Sequence, residues 1–358
     1  MNITKQSSVK QEIKNSDITN KEHKINETNI REKVRDYKFD NLKAILIILV
    51  VWGHILTSMR NDDNMIKGIY IFIFFFHMPA MVFVSGYFSK KLDKIRNNAF
   101  VTILVPYLVL NIINYGFKIY ILQEDYSGIR LFNPTWGLWY LLTLFLWKFF
   151  LKDLVKIRYV LPLSLVVALV SGFSKEFSDY MALGRLLCFL PFFLAGYYCT
   201  AEHVAWIRKI PKVFSVLLLI LVGIWSYIVA SKDIFDIELL FLRTYYPQGE
   251  ELQTMFFRFT VYIVAAVMIF VLLNLVSEKE TFFTRIGSST MTVYVLHLFT
   301  IPVLEKLQIL KHHPMLYLIY SILITAVITF IYSRPLVARA YDSAMDKLSG
   351  LFIKKDER

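Results

Sequence analysis

Three histidines stand inside apolar segments of this sequence, and they are the residues whose chemistry matters most. His54 closes F-D-N-L-K-A-I-L-I-I-L-V-V-W-G-H, His77 lies in F-F-F-H-M-P-A-M-V-F-V-S-G-Y-F, and His297 ends G-S-S-T-M-T-V-Y-V-L-H. Ionisable groups within membrane-length apolar segments are costly and usually face an interior cavity, so function is sought there first. A neutral imidazole in such a cavity can take a proton from an attacking hydroxyl. Asp40 and Lys43 open the segment that His54 closes. Lys43 and His54 are eleven residues apart, which on a helix puts them on one face roughly 16 Å apart along the axis. Asp40, three residues before Lys43, is within pairing reach.

With the membrane boundary near residue 41, His54 lies roughly 20 Å deep. His77 precedes Lys90 by 13 residues and by the same rise also lies about 20 Å deep. Pro79 removes a backbone hydrogen bond beside it, and Ser85-Gly86 permits close approach of another backbone. Tyr294 stands three residues before His297. At the opposite boundary, Arg185 and Arg258 fall near segment ends, and N-P-T-W-G-L-W-Y brings Trp136 and Trp139 to the same side. Arginine with tryptophan suits a sugar or an anionic group, and equally suits an aromatic belt with interfacial anchors. For Asp40 and Lys43 the competing reading is a snorkelling boundary pair, and for a membrane histidine a packing residue bonded to a neighbouring helix. His23, His203, His312 and His313 fall in tails or loops and receive no role.

The elements that must position these residues follow from composition. Of 358 residues, 56% are hydrophobic and only 19% charged, with a mean hydropathy of +0.50. The apolar residues come in blocks of roughly 17 to 25, the length that crosses a hydrocarbon core, and there are about ten of them. Spans are expected near 42–57, 67–88, 99–119, 137–151, 157–173, 182–200, 213–230, 255–276, 290–310 and 315–334. The fold class is therefore all-α: a polytopic transmembrane bundle with no room for a separate soluble domain. The basic link holding Lys152, Lys156 and Arg158, with Asp153, makes a turn between the fourth and fifth spans. Residues 1–38, polar and poor in aromatics, read as a disordered tail with no signal peptide ahead of it. Residues 39–335 form the membrane domain and 336–358 a second tail.

Lysine and arginine cluster in alternate loops, including Lys90, Lys91, Lys94 and Arg96, while the longest loop of the other set, 231–254, is acidic. Both termini should then be cytoplasmic. The net charge of +12 reads as a topology signal that also suits anionic lipid, and not as nucleic-acid binding. Cys188 and Cys199, in or beside one apolar block, make neither a disulfide framework nor a zinc cluster. The sequence has no phosphate-cradling glycine loop, H-E-x-x-H, G-x-S-x-G elbow or paired acid cluster of the glycosidase kind. Composition and spacing reach a polytopic membrane protein with an intramembrane histidine site. On those grounds alone, a transporter or exporter of a glycan or small solute ranks above an enzyme.

The motif series changes that ranking. The run R-D-Y-K-F-D-N-L-K-A-I-L-I-I-L-V-V-W-G-H, the His77 segment, then V-P-Y, W-G-L-W-Y-L, L-P-F-F-L-A-G-Y-Y and the His297 segment resemble, in order, the membrane-bound acyltransferase family 3. Within it they resemble the fucose 4-O-acetylase-like branch, over about residues 36–335. The resemblance implies a ten-helix fold in a bacterial plasma membrane. It also implies transfer of an acetyl or other short acyl group from cytoplasmic acetyl-CoA, a donor substrate and not a tightly bound cofactor, to a hydroxyl of an extracytoplasmic glycan or glycolipid. No metal is implied. His54 matches the family's first-helix histidine, as general base or transient acyl carrier, with His77 orienting the reactants or sharing the proton and Asp40, at the cytoplasmic mouth, counted with them as catalytic. Many members carry arginine where this chain has Lys43, which keeps the charge and loses the bidentate fork. Lys43, Lys90, Lys91, Lys94 and Arg96 would hold the CoA phosphates. Arg185, Trp136, Trp139, Arg258, His297 and Tyr294 would serve the acceptor.

Overall fold

The computed structural model describes residues 37–125, 130–177 and 180–352. The chain divides into residues 1–37 and 38–358, and the architecture below is that of the second unit. The expected N-terminal tail lies outside the described residues as far as residue 36. Among the described residues every regular element is helical. The helices are α1 (Tyr37–Leu56), α2 (Asn64–Tyr87), α3 (Leu92–Tyr120), α4 (Trp139–Leu154), α5 (Val160–Val170), α6 (Leu183–Tyr198) and α7 (Ala201–Lys209). They continue as α8 (Lys212–Lys232), α9 (Glu251–Leu275), α10 (Thr284–Ser288), α11 (Thr290–Lys306), α12 (Pro314–Tyr332) and α13 (Pro335–Phe352).

Every expected span coincides with a helix. Seven helices among the described residues are long and apolar enough to cross a membrane: α1, α2, α3, α6, α8, α9 and α12, with α1 and α6 each taken together with an adjoining short turn. The segments α4, α5 and α11 are shorter, at 16, 11 and 17 residues. The turn expected between the fourth and fifth spans is present, and Tyr159 closes it with a left-handed φ of 60°.

Three boundaries differ from expectation, each for a packing reason. Helix α1 starts at Tyr37 because Lys38, Phe39, Asp40 and Asn41 are already buried. Helix α3 starts at Leu92, so Lys94 and Arg96 stand on its first turns instead of in a loop; a π-type turn at Phe100–Leu104 precedes Pro106, which has no N–H to donate. Part of the expected second tail is helix α13, whose Tyr341 and Met345 pack against the core.

Ion pairs and polar contacts define two ends of this bundle. At one, Lys38 and Arg208 meet Glu278, Arg96 meets Asp153 and Lys152 meets Asp93. At the other, Arg60 meets Glu238, Lys67 meets Asp233 and Lys118 meets Glu124. The first is the cation-rich end. There Asn41, 4% exposed, donates to the Ser277 and Lys279 carbonyls at 2.9 Å and accepts from the Thr281 and Thr284 hydroxyls at 2.7 Å. A buried amide with all its capacity engaged pins the 277–284 segment to α1.

Helices α2 and α6 cross more closely than any ordinary side chain would allow. A Cβ on Gly86 would strike the Phe193 carbonyl, and one on Gly196 would strike the Phe83 carbonyl. This reciprocal contact of small residues is the close approach expected at Ser85-Gly86. It fixes α2, which carries His77, against α6, which begins beside Arg185.

Candidate active site

His54, His77, Trp136, Trp139, Arg185 and Tyr294 line one cavity of about 240 Å³ near the end opposite the cation-rich one. They come from α1, α2, the turn into α4, α4 itself, α6 and α11, so the fold assembles them from across the sequence. His54 is half-buried, because its ring opens into this space. The edge of that ring meets Trp136 with centroids 4.3 Å apart, and the His297 ring lies 5.3 Å away. Among the described residues neither His54 nitrogen has a hydrogen-bond partner.

The other two imidazoles are tethered. His77 Nδ1 donates to the Ile73 carbonyl at 2.8 Å, and His297 Nδ1 donates to the Val293 carbonyl at 3.1 Å. Because a carbonyl can only accept, each tether places the proton on Nδ1 and leaves the Nε2 lone pair available in the neutral ring. His297 is fully buried, and its Nε2 meets no partner among the described residues.

The walls of the cavity are held by polar contacts that reach around it. Asn111 of α3 donates to the Arg130 and Leu131 carbonyls and accepts from the Thr135 N–H at 3.0 Å, while Tyr107 donates to the Leu131 carbonyl at 2.8 Å. Together they shape the approach to Trp136. The Tyr294 hydroxyl donates to the Gly137 carbonyl, and the Arg185 guanidinium stacks 4.9 Å from the Trp139 ring.

Arg60, Glu238 and Arg243 also line the cavity and were not singled out from the sequence. Glu238 and Arg243 belong to the loop whose acidic residues served only as a topology signal, and Arg60 lies in the short turn after α1. Nothing in their spacing links them, since the contact between Arg60 and Glu238 bridges 178 residues.

Arg258 is placed elsewhere. It is 2% exposed, donates to the Ala168 carbonyl at 3.2 Å and to the Thr244 carbonyl, and lies 4.5 Å from the Tyr246 ring. It joins α9 to α5 and to the 242–246 segment. Arg258→Ala is expected to cost about 1–3 kcal/mol by leaving those carbonyls unpaired, read as a lower thermal midpoint with turnover per folded molecule unchanged.

A second pocket, of about 550 Å³, opens at the cation-rich end and is lined by Lys90, Lys91, Lys94 and Lys148 with Tyr87 and Phe88. Lys148, which the sequence offers only as the start of the basic link running to Arg158, joins the three expected lysines here because its end of α4 faces the pocket. Lys90 also donates to the Cys199 carbonyl at 2.8 Å, just past the end of α6, and partial burial draws its ammonium below the ordinary lysine value. Lys43 pairs with Asp40 at 2.8 Å, as their spacing suggests, and its ammonium lies 5.8 Å from the Phe88 ring, beside this pocket. Arg96 is not among the lining residues; it pairs with Asp153 at 3.0 Å over the Phe149 ring. Among the described residues no group of three or more His, Cys, Asp or Glu side chains is arranged to hold a metal ion.

A family model described as an acyltransferase domain matches residues 36–333, nearly all of the helical unit. Nodulation protein NolL of Sinorhizobium fredii (strain NBRC 101917 / NGR234) is 48% identical over 59 residues, which are 16% of this chain and 16% of that protein. The chain thus spans about a sixth of the length of the curated relative it matches. No solved structure matches it. An ordered set of motifs, an apolar helical bundle and a match over most of the length agree, and the chain belongs to the membrane-bound acyltransferase family 3.

Proposed function

We propose that this chain is an integral membrane O-acyltransferase that moves an acetyl or other short acyl group from acyl-CoA to a hydroxyl of a cell-surface sugar. The observation that carries the proposal is the His54 ring, which opens into a cavity walled by tryptophan and arginine, with His77 lining it and His297 adjacent. In this reading the cation-rich end is cytoplasmic, following the retention of positive loops on that side, and the ten helical segments all cross a bacterial plasma membrane with both termini inside.

The donor would lie with its phosphates in the lysine pocket, where cationic side chains make charge-assisted contacts. The acceptor hydroxyl would enter the opposite cavity. As its oxygen attacks the thioester carbonyl, His54 takes the hydroxyl proton; the C–S bond then breaks and the proton passes to the departing CoA sulfur. A route in which the acyl group rests briefly on His54 uses the same residues. His77, with its Nδ1–H held by the Ile73 carbonyl, would orient the reactants.

If the lysine pocket binds CoA, Lys91→Gln combined with Lys94→Gln should raise KM for acetyl-CoA about tenfold with little change in kcat. The difference should shrink as salt is added, because exposed charge interactions are screened. A KM that stays put would remove the pocket from donor binding. The main competitor is a transporter of a glycan or small solute. Acetyl-CoA-dependent acetylation of surface glycan by the purified chain, with no solute movement in vesicles, supports the enzyme; solute uptake without CoA release overturns it.

A further inference from the structure

The cation-rich end holds another pocket, lined by none of the residues of the lysine pocket or of the His54 cavity. Its volume is about 550 Å³, and its lining includes Arg208, Lys209, Lys212, Asn274, Glu278 and Lys279. Lys209 closes α7, Lys212 opens α8, and Glu278 and Lys279 follow α9. Two buried amides hold these pieces in place. Asn274 of α9 donates to the Ile207 and Ile210 carbonyls at 2.8 and 2.9 Å and so fixes the turn from α7 into α8. Segment 277–279 is held from the other side by Asn41 of α1.

Among the described residues the lining holds one carboxylate, that of Glu278, and it already meets Arg208 and Lys38. Lys209, Lys212 and Lys279 make no ion pair among the described residues. Glu280, the nearest acid in sequence, is exposed and lies outside the lining. Three ammoniums around one concave surface attract an anion. Placement decides which kind. Directly after Lys212, the α8 residues Val213, Phe214, Val216 and Leu217 are exposed, on a helix apolar enough to cross a membrane. Trp206, two residues before Arg208, is exposed as well, and tryptophan gathers at the level of lipid headgroups. The ammoniums therefore stand where a spanning helix leaves the hydrocarbon, with apolar surface beside them. A soluble anion would use the charges alone. A phospholipid would use both surfaces, and basic pockets between helices at this level receive anionic headgroups.

We propose that this pocket binds an anionic phospholipid, with the headgroup phosphate on Lys209, Lys212 and Lys279 and the acyl chains along the exposed apolar side of α8. The site is independent of the acyl-transfer reading. Because Asn41 ties the 277–279 carbonyls to α1, a lipid seated there braces the start of the helix that carries His54, and its binding is read as added thermal stability.

The test titrates the purified full chain, in a neutral detergent, with phosphatidylglycerol, phosphatidylcholine or inorganic phosphate and follows the thermal midpoint. Phosphatidylglycerol should reach half its effect at roughly a tenfold lower mole fraction than phosphatidylcholine, the worth of a charge-assisted contact. The gap should narrow as salt is added. Lys209→Gln, Lys212→Gln and Lys279→Gln combined should bring phosphatidylglycerol to the level of phosphatidylcholine. Lys156→Gln combined with Arg158→Gln removes two cations that do not line the pocket, and should leave the preference in place. Phosphatidylglycerol acting no better than phosphatidylcholine, a preference that survives the triple substitution, or one lost equally in the Lys156 and Arg158 variant overturns the site. A midpoint raised as much by inorganic phosphate as by phosphatidylglycerol marks a soluble-anion pocket and overturns the lipid. Should the triple variant fold poorly, Lys209→Gln alone is read. It should lower the preference about threefold, as one exposed charge pair would, and an unchanged preference counts against the site in the same way.

Discussion

His54→Ala is expected to lower acetyl-CoA-dependent transfer by about 10² to 10⁴-fold, the range a positioned general base supplies. Stability should hardly change. Among the described residues the His54 ring makes no hydrogen bond, so its removal orphans no carbonyl or amide, and the half-buried ring faces a cavity that water can refill. Release of CoA thiol, followed beside the thermal midpoint, separates the two effects. A variant that melts like the parent and turns over normally would remove His54 from the chemistry. His77→Ala and His297→Ala should each lower the rate by less, since both rings are tethered to their own helices and His77 alone of the two lines the cavity.

Gly86→Ala and Gly196→Ala carry the second large expectation, this time on the fold. In each variant the new methyl group meets a backbone carbonyl of the facing helix, which cannot rotate aside. Helices α2 and α6 must separate, at a cost of about 1–3 kcal/mol or more for each change. Gly223→Ala on α8 is the matched control, because a Cβ there meets nothing within 4 Å. That change should be neutral or stabilising by up to ~1 kcal/mol, the helix-propensity difference. Thermal unfolding in one detergent ranks the three. Since α2 carries His77 and α6 carries Arg185, separation should also reduce turnover in the fraction that remains folded.

The parts of this site legible in the sequence are those that violate the membrane pattern. A histidine deep in an apolar span has few uses, which is why His54, His77 and His297 stood out. Trp136, Trp139 and Arg185 were visible because aromatic and guanidinium groups share one boundary. Arg258 carried the same signal and went elsewhere. Helix α9 is apolar on nearly every side, so its sequence gives no rotation, and the backbone carbonyls of Ala168 and Thr244 that receive Arg258 leave no trace in residue types. Arg60, Glu238 and Arg243 were illegible for the opposite reason: charges in loops are ordinary, and their convergence depends on how the 231–254 segment folds back over α1 and α2. The helical core was read correctly from block length alone. The polar starts of α1 and α3 were not, because Lys38, Asn41 and Arg96 are satisfied by distant partners that hydropathy does not report.

The central claim is that the thioester meets the His54 ring inside the bundle. The most direct measurement is a map of the chain bound to a non-transferable acetyl-CoA analogue in which a methylene separates the sulfur from the acetyl carbonyl. The account predicts its pantetheine arm running inward from Lys91 and Lys94, with the carbonyl close enough to His54 for a hydroxyl held about 3 Å from the imidazole nitrogen to attack it. An analogue bound with its acetyl end away from α1, and the His54 ring closed off from it by packed side chains, would contradict the account.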